Sequence, residues 1–299
     1  MIYVIETQWH ERTLKEYLFS GLSLSRAQVT ALKKKERGIL LNGLHVTVRA
    51  LLKEGDRLEL ALEDEASAED LVPFEADLEI LYEDEDLVCV NKEKGMPTHP
   101  SRGHFEDTLA NALAAYYLKR GRPFVFRAVN RLDRDTTGVV LIAKNKRAAA
   151  ALSEQISKRM VEKEYIALLC GSMEEDCGDI SKNILRVQGS MMLRRTDDVL
   201  GEKALTSYRV VERKKGMTLV LATPHTGRTH QLRVHFSSIG HPIFADSLYG
   251  TASPDLEGQA LHAYRLSFAH PVTGKPLAVT APLKPDFLKV LKDYGFEVF

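Results

Sequence analysis

The feature that most constrains the fold is a charged turn that leads directly into an apolar, β-branched run. Residues 130–138 read Asn-Arg-Leu-Asp-Arg-Asp-Thr-Thr-Gly, and residues 139–143 read Val-Val-Leu-Ile-Ala. A short apolar run of this kind after a turn predicts a buried strand. Asp133 therefore stands just before a buried strand, which can hold a charged side chain in one place. We expect Arg131 and Arg134 to lie close enough to keep its carboxylate ionised.

The residues of this turn alone allow two interpretations. Asp133 is either a fixed charge that does chemistry or part of a capped loop with surface ion pairs. Ion-pair loops are common and usually inert, so these residues by themselves favour the second interpretation.

Three stretches of the chain resemble the RluA-type pseudouridine synthases in order and spacing. They are residues 80–92, residues 131–138 with the run Arg-Leu-Asp-x-x-Thr-Thr-Gly, and residues 226–235, which continue into 240–242 and 246–250. The resemblance covers about residues 78 to 290. It implies an α+β fold, with a mostly antiparallel mixed sheet flanked by helices and an active-site cleft across the sheet. Two departures are visible: Asn130 replaces a usual His, and Glu93-Lys94 replaces a usual Pro-Ala.

The same resemblance implies the central site residues. By residue-for-residue match the catalytic group is Asp133, while Asp135 occupies a variable position of the motif. The arginine that pairs with the catalytic carboxylate is Arg233, with Arg228 as its rival, which we expect nearer the RNA backbone. The alternative for either arginine is a role in a structural ion pair without any part in catalysis. Tyr165 resembles the tyrosine of the family's catalytic site, and its ring can stack on an extruded base; without the motif it would be a core aromatic residue.

Further substrate contacts follow from the resemblance with less support from neighbouring residues. We expect Arg131 at the substrate, Lys163 near a phosphate, and Leu261 as an apolar wall opposite Tyr165.

Six histidines between residues 225 and 270 suggest a metal site at first sight. His230 and His235 are five residues apart, which is poor spacing for two ligands on one helix face, so we reject that interpretation.

Composition bounds the class of protein. The 299 residues are 44% hydrophobic and 27% charged, which suffices for a full core in one large domain or a large and a small one. The first residues do not resemble a secretory signal, and no uncharged apolar run approaches membrane-spanning length. Three cysteines without paired spacing fit a reducing cytoplasm, with Cys89 in the core.

A net charge of zero conceals a strong asymmetry. Residues 63–86 hold twelve acids and no Lys or Arg, which leaves 29 acids against 41 basic residues in the rest of the chain. An excess of positive charge can serve a phosphate-rich partner, although a solvated surface with scattered Lys and Arg is the simpler alternative.

The pattern divides the chain into a module at 1–62, an acidic linker at 63–77 and a catalytic domain at 78–299. In the module we predict helices at 13–20 and from Ser25 to about Arg37, and strands at 39–41 and 57–60. This order resembles the small RNA-binding domain named for ribosomal protein S-four. The second helix carries a basic edge that would contact RNA phosphates, unless it is merely a solvated face. Its residues are Arg26, Lys33, Lys34, Lys35 and Arg37.

The catalytic part mixes helices and strands without a βαβ rhythm, which favours α+β. We predict strands at 78–82, 87–91, 164–169, 205–211 and 218–222. We predict helices at 108–119 capped by Asp107, at 146–158 capped by Asn145, and at 229–239.

The resemblance implies an RNA pseudouridine synthase that isomerises specific uridines, with RNA as its partner and with no metal and no cofactor. We expect the substrate to be ribosomal RNA of the large subunit. We expect a cytoplasmic monomer. Two alternatives stay open: a catalytically silent RNA-binding protein of the same fold in ribosome assembly, and another glycosyl-bond enzyme. The second is disfavoured because glycosidases usually use two carboxylates and only Asp133 has a motif. Attack at carbon six of the base and attack at the anomeric carbon are both compatible with the sequence.

Overall fold

The computed structural model describes residues 2–22, 24, 29–30, 32–33, 35, 37–61, 71–101, 103–190 and 192–297. The chain divides into two compact units, residues 1–65 and 66–299, which are described separately below. The predicted acidic linker lies outside the described residues up to residue 70, and residues 71–77 form neither helix nor strand. Among the described residues, no helix is long and apolar enough to cross a membrane.

The smaller unit is a four-stranded antiparallel sheet with a helical segment. Its strands are β1 (Ile2–Val4), β2 (Ile39–Leu41), β3 (Leu44–His45) and β4 (Arg57–Leu60), in the order β1-β4-β2-β3. The predicted first helix is present as α1 (Leu14–Glu16), which continues as a π-helical turn over Tyr17–Gly21. Thr13 caps α1, accepting a hydrogen bond from the Glu16 amide.

The turn between β2 and β3 shows why Asn-Gly is a strong hairpin signal. Asn42 and Gly43 both have positive φ angles, +52° and +80°, as a tight two-residue hairpin turn requires. The predicted second helix is described only in part. Residues 29–30 and 32–33 are helical, with Val29 and Leu32 buried, whereas Ser25, Arg26 and Lys34 lie outside the described residues.

The larger unit is built on one nine-stranded sheet. Its strands are β5 (Glu79–Glu83), β6 (Leu87–Lys92), β7 (Thr137–Ala143), β8 (Glu162–Cys170), β9 (Cys177–Ser181), β12 (Leu205–Lys214), β13 (Met217–Pro224), β14 (Leu261–Ala269) and β15 (Pro276–Thr280). The order is β5-β6-β7-β14-β8-β13-β12-β9, and β15 pairs with β14. All pairs are antiparallel except β7 with β14. The predicted mixed, mostly antiparallel sheet is confirmed.

Helices and a separate hairpin complete this unit. The helices are α2 (Leu109–Leu118), α3 (Lys146–Ser157), α4 (Gln231–Ser238) and α5 (Pro285–Asp293), and the hairpin is β10 (Asn183–Arg186) with β11 (Arg194–Asp197). The α+β class is confirmed. Of these elements β9, β10, β11, β14, β15 and α5 were not predicted.

Strand β7 is the centre of the core, as its apolar run predicted. All seven of its residues are buried. Val140 and Ile142 belong to a core cluster with Leu113 of α2, while Leu141 belongs to a cluster with Leu152 of α3. Apolar packing on both faces fixes the start of β7 in space.

Two predicted helix starts were wrong in detail. Thr108, not Asp107, caps α2, because its hydroxyl accepts from the Asn111 amide, while the Asp107 carboxylate contacts the His104 ring. Helix α4 begins at Gln231, because His230 has a left-handed backbone (φ +57°) that ends the preceding loop.

His262 on β14 generates a prediction about acid stability. The ring is fully buried, with Nδ1 accepting from the Thr137 hydroxyl (2.7 Å) and Nε2 donating to the Ala281 carbonyl (3.2 Å). Burial lowers the pKa of His262 to about 4. The unfolded chain binds this proton near pH 6.5 and the folded chain does not, so stability is present above 6.5 and is lost as the pH falls toward 4.

We expect His262→Gln to remove this acid sensitivity. Between pH 7 and pH 5 the wild-type protein should lose about 2 kcal/mol more stability than the variant. Urea titrations followed by circular dichroism at both pH values measure the difference, and His225→Gln, which changes an exposed histidine, is the control. An equal loss in wild type and His262→Gln would contradict the prediction.

Candidate active site

The loop before β7 is fixed by hydrogen bonds on both sides of Asp133. The Thr98 hydroxyl donates to the Leu132 carbonyl (2.9 Å) and accepts from the Leu132 amide (3.1 Å). The Thr136 amide donates to the Asp133 carbonyl (3.1 Å), and Gln259 Nε2 donates to the Thr136 hydroxyl (2.8 Å). The backbone around Asp133 is therefore held without using its carboxylate.

Lys92 at the end of β6 also holds this loop, although no role for it was predicted. Its side chain is fully buried and its ammonium group donates to the carbonyls of Glu93 (2.7 Å), Met96 (2.8 Å) and Arg134 (2.9 Å). Three carbonyls match the three donors of an ammonium group. Burial lowers the pKa of Lys92 to about 7, while the charges of Asp135 and Asp133 act in the opposite direction.

Gly138 allows the neighbouring strand to approach the loop. Its φ is +110°, and a Cβ atom there would lie 2.3 Å from the Ala263 carbonyl oxygen. Ala263 pairs with Gly138 on one side and with Tyr165 on the other. A side chain at 138 would push β14 away, so the Gly of the motif brings Tyr165 toward Asp133.

Arg233, not Arg228, lies against Asp133. Its NH1 atom donates to Asp133 Oδ2 at 3.4 Å, and its Nε and NH2 atoms donate to Asp246 at 2.7 and 2.8 Å. Arg228 instead forms an ion pair with Glu202 (2.8 Å) and donates to the Lys203 carbonyl (3.2 Å).

The expected partners of Asp133 within its own loop were wrong. Arg134 forms its ion pair with Asp135 (Nε to Oδ1, 3.0 Å), and Arg131 is exposed. The reason is geometric. Arg134 pairs with Asp135, the next residue in the sequence, and the contact with Asp133 comes from Arg233 on helix α4, 100 residues further along the chain. One carboxylate oxygen of Asp133, Oδ1, accepts from no described residue, and the side chain is 28% exposed.

Tyr165 is placed beside Asp133 by β8. Its side chain is buried, and burial raises the pKa of its hydroxyl, with the charge of Asp133 as a second cause. Leu261 is buried on β14, where it pairs with Ala167. Leu261 and Tyr165 therefore point to the same face of the sheet as diagonal neighbours, so Leu261 does not form an opposing wall.

Lys163 is half-buried two residues before Tyr165. Burial lowers its pKa, and its ammonium group forms no hydrogen bond or ion pair with a described residue. Three RNA contacts were predicted in the smaller unit. Lys33 is helical and its side chain is exposed, whereas Arg26 and Lys34 lie outside the described residues.

His230 and Tyr249 also lie at the site, although no catalytic or substrate-binding role was predicted for either residue. His230 Nε2 lies 4.0 Å from Asp133 Oδ2, and its Nδ1 lies 2.8 Å from the Tyr249 hydroxyl. Burial lowers the pKa of His230, while the charge of Asp133 opposes the shift. Their position in the third motif was the available signal.

The two departures from the family pattern are accommodated by local contacts. Asn130 is buried; its Nδ2 donates to the Val139 carbonyl (3.0 Å) and its Oδ1 accepts from the Leu141 amide (2.8 Å). These bonds tie the loop to β7. Glu93 forms an ion pair with Lys284, and its carbonyl accepts from Lys92.

One group of described residues brings three possible metal ligands within 4.8 Å: Asp84, Asp86 and His270. Its hydrogen bonds explain the cluster. His270 Nδ1 accepts from the amides of Val272 and Thr273, so the proton is on Nε2, which donates to Asp84 (2.8 Å). This ring therefore has no lone pair free for a metal ion.

Comparison with known proteins places these residues in a family. The model of the RNA pseudouridylate synthase family matches residues 86–238. An uncharacterized RNA pseudouridine synthase of Bacillus subtilis (strain 168) is 38% identical over 280 residues, which cover 94% of this chain and 98% of that protein. The ribosomal large subunit pseudouridine synthase D of Pasteurella multocida (strain Pm70) is 35% identical over 292 residues, covering 92% of this chain and 88% of that protein.

A solved structure shows the same fold. The human RNA pseudouridylate synthase domain containing 1 is 30% identical and superposes with a TM-score of 0.58, covering 69% of this chain and 84% of that one.

The contrast between the buried Lys92 and the half-buried Lys163 yields a prediction. Lys92→Met leaves three carbonyls without their donor, so we expect it to destabilise the protein by about 2 kcal/mol or more. Lys163→Met removes a half-buried amine without a described partner and should cost little or stabilise slightly. Urea titration at pH 7 measures both, and an equal effect of the two substitutions would show that Lys92 does not hold the loop.

Proposed function

The chain belongs to the family of RNA pseudouridine synthases, which are isomerases, and we propose that Asp133 is its catalytic carboxylate. The observation that supports this is that the two carboxylate oxygens of Asp133 have different surroundings. Oδ2 faces Arg233 NH1 at 3.4 Å, whereas Oδ1 accepts from no described residue. One oxygen is thus held beside a permanent positive charge, and the other is available to a substrate.

The reaction needs no external reagent. The bond between N1 of uracil and the anomeric carbon breaks, a bond from C5 to that carbon forms, and the proton lost from C5 is balanced by one gained at N1. Asp133 would act as nucleophile or as acid-base group. Both the anomeric carbon and carbon six of the base stay open as points of attack.

Tyr165 and Arg233 would each support this chemistry. A uridine that is stacked between its neighbours in the RNA must leave that stack to reach Asp133. The ring of Tyr165 would then offer a surface on which the extruded base can stack. Its hydroxyl stays protonated, because burial raises its pKa, so it can donate a hydrogen bond. Arg233 places a positive charge 3.4 Å from Asp133 Oδ2, and its guanidinium group cannot lose its proton at neutral pH.

We further propose ribosomal RNA as the substrate. A relative that is 35% identical over most of both chains carries the name of a ribosomal large subunit synthase. Arg131, Lys163 and Arg228 in the larger unit would contact the RNA backbone. Cytoplasmic location and a monomeric state stay predictions.

The smaller unit is proposed to add RNA affinity. Its support is the exposed Lys33 and the basic residues around it in sequence, Arg26 and Lys34 among them. Phosphate contacts of this kind position an RNA without reading its sequence.

Asp133→Asn tests the catalytic assignment. The substitution keeps the shape and removes the charge, so turnover should fall by at least about a thousandfold while RNA affinity changes little. Release of tritium from C5 of labelled uridine in RNA measures turnover, and filter binding measures affinity. Asp135→Asn is the matched control and should retain activity. Wild-type turnover in Asp133→Asn would rule the assignment out; an inactive wild-type protein that binds RNA would favour the silent binding protein.

Arg233→Lys and Arg228→Lys test the choice of arginine. The single nitrogen of Lys cannot replace the planar fork by which three separate nitrogens of Arg233 reach both oxygens of Asp246 and Oδ2 of Asp133, so Arg233→Lys should lose about a hundredfold or more in turnover. Arg228→Lys keeps the charge near Glu202 and should stay within about threefold of wild type. The same tritium-release assay compares them. The reverse ranking would show that Arg228 is the partner.

A further inference from the structure

His230 is held at Asp133 by a contact on its far side. It is the residue before α4, and its side chain is only 11% exposed. Nε2 lies 4.0 Å from Asp133 Oδ2, and Nδ1 lies 2.8 Å from the Tyr249 hydroxyl. The Tyr249 backbone is fixed in turn, because its amide donates to Asp246 (3.2 Å) and its carbonyl accepts from the Ser237 hydroxyl (2.8 Å).

These contacts determine which ring nitrogen carries the proton. The Tyr249 hydroxyl accepts from the Arg194 amide (3.0 Å), which leaves its own hydrogen to donate to His230 Nδ1. The opposite tautomer would aim the lone pair of Nε2 at the negative Asp133. Both facts place the proton on Nε2, so the ring presents an N–H group toward the carboxylate.

The 4.0 Å gap between Nε2 and Oδ2 is too long for a direct hydrogen bond. It is the right width for one bridging atom. An atom about 2.8 Å from each would see them at an angle of roughly 90°, which is narrower than the tetrahedral angle but still open enough for one oxygen to contact both atoms. Such an atom must accept from Nε2–H and donate to Oδ2, which an oxygen that carries a hydrogen can do, either in water or in a hydroxyl group of the substrate.

A uridine inside an RNA chain offers one group with both properties. The uracil carbonyls and the phosphate oxygens only accept, the ring N3–H only donates, and the 3′ and 5′ oxygens are esterified. The ribose 2′-hydroxyl both donates and accepts. Resting on the proposed function, we infer that His230 and Asp133 together bind the 2′-hydroxyl of the target nucleotide.

This contact has a consequence for the chemistry. The 2′-carbon is bonded to the anomeric carbon, so a 2′-hydroxyl held on Oδ2 brings the anomeric carbon close to the carboxylate of Asp133. His230 is then a residue that touches substrate and selects ribose over deoxyribose, and Tyr249 is a positioning residue that acts through His230.

The experiment crosses protein variants with RNAs that differ at the target nucleotide. Wild-type protein is first shown to form pseudouridine in a short RNA that contains its target. Equilibrium affinities are then measured for two otherwise identical RNAs, one with pseudouridine, which keeps the 2′-hydroxyl, and one with 2′-deoxyuridine. The proteins are wild type, His230→Asn, which tolerates the left-handed backbone but cannot reach Oδ2, and Tyr249→Phe. The base differs between the RNAs, but this difference cancels when variants are compared.

We expect His230→Asn to weaken binding of the pseudouridine RNA about fivefold to tenfold and that of the 2′-deoxyuridine RNA less than twofold. Tyr249→Phe should produce a smaller change of the same kind. Equal weakening of both RNAs, or no weakening of the first, would overturn the inference. A wild-type protein that forms no pseudouridine would instead contradict the proposed function.

Discussion

The buried ion pair between Arg233 and Asp246 is the interaction on which the site depends. The side chains are 6% and 0% exposed, and two guanidinium nitrogens of Arg233 donate to the two carboxylate oxygens of Asp246. Asp246 also accepts from the amides of Leu248 and Tyr249. The pair is therefore fully hydrogen-bonded, which is the condition under which a buried pair can offset the cost of leaving water. The remaining nitrogen, NH1, is left for Asp133.

This arrangement separates anchoring from function. Asp246 fixes the plane of the guanidinium group, and Asp133 receives only one long contact from it. A carboxylate gripped as tightly as Asp246 would have no oxygen left for a substrate. The loop is held in a similar way. Lys92 and Thr98 donate to backbone carbonyls of the loop and not to the carboxylate of Asp133. The loop backbone is thus held by hydrogen bonds, while Oδ1 of Asp133 accepts from no described residue.

The sequence predicted the parts of the fold in which local pattern and tertiary packing agree. The apolar run after the charged turn is a buried strand, and Asn145 caps α3 as expected. The choice of Arg233 over Arg228 came from the family resemblance, and the contact with Asp133 agrees with it. The contacts made by side chains in three dimensions could not be predicted from the sequence. Arg134 was expected beside Asp133, but it forms its ion pair with the adjacent Asp135. No role beside Asp133 was predicted for His230, because that role depends on a left-handed backbone and on a distance of 4.0 Å, neither of which a residue pattern reports.

The most direct test of the central claim is nucleoside analysis of ribosomal RNA made without modifications and incubated with the purified protein. Digestion and mass spectrometry would measure pseudouridine, and site mapping would show where it forms. If Asp133, held by Arg233, catalyses the isomerisation, pseudouridine should appear at one or a few fixed uridines, without added metal or cofactor. Ribosomal RNA that is bound but contains no pseudouridine after prolonged incubation would contradict the account.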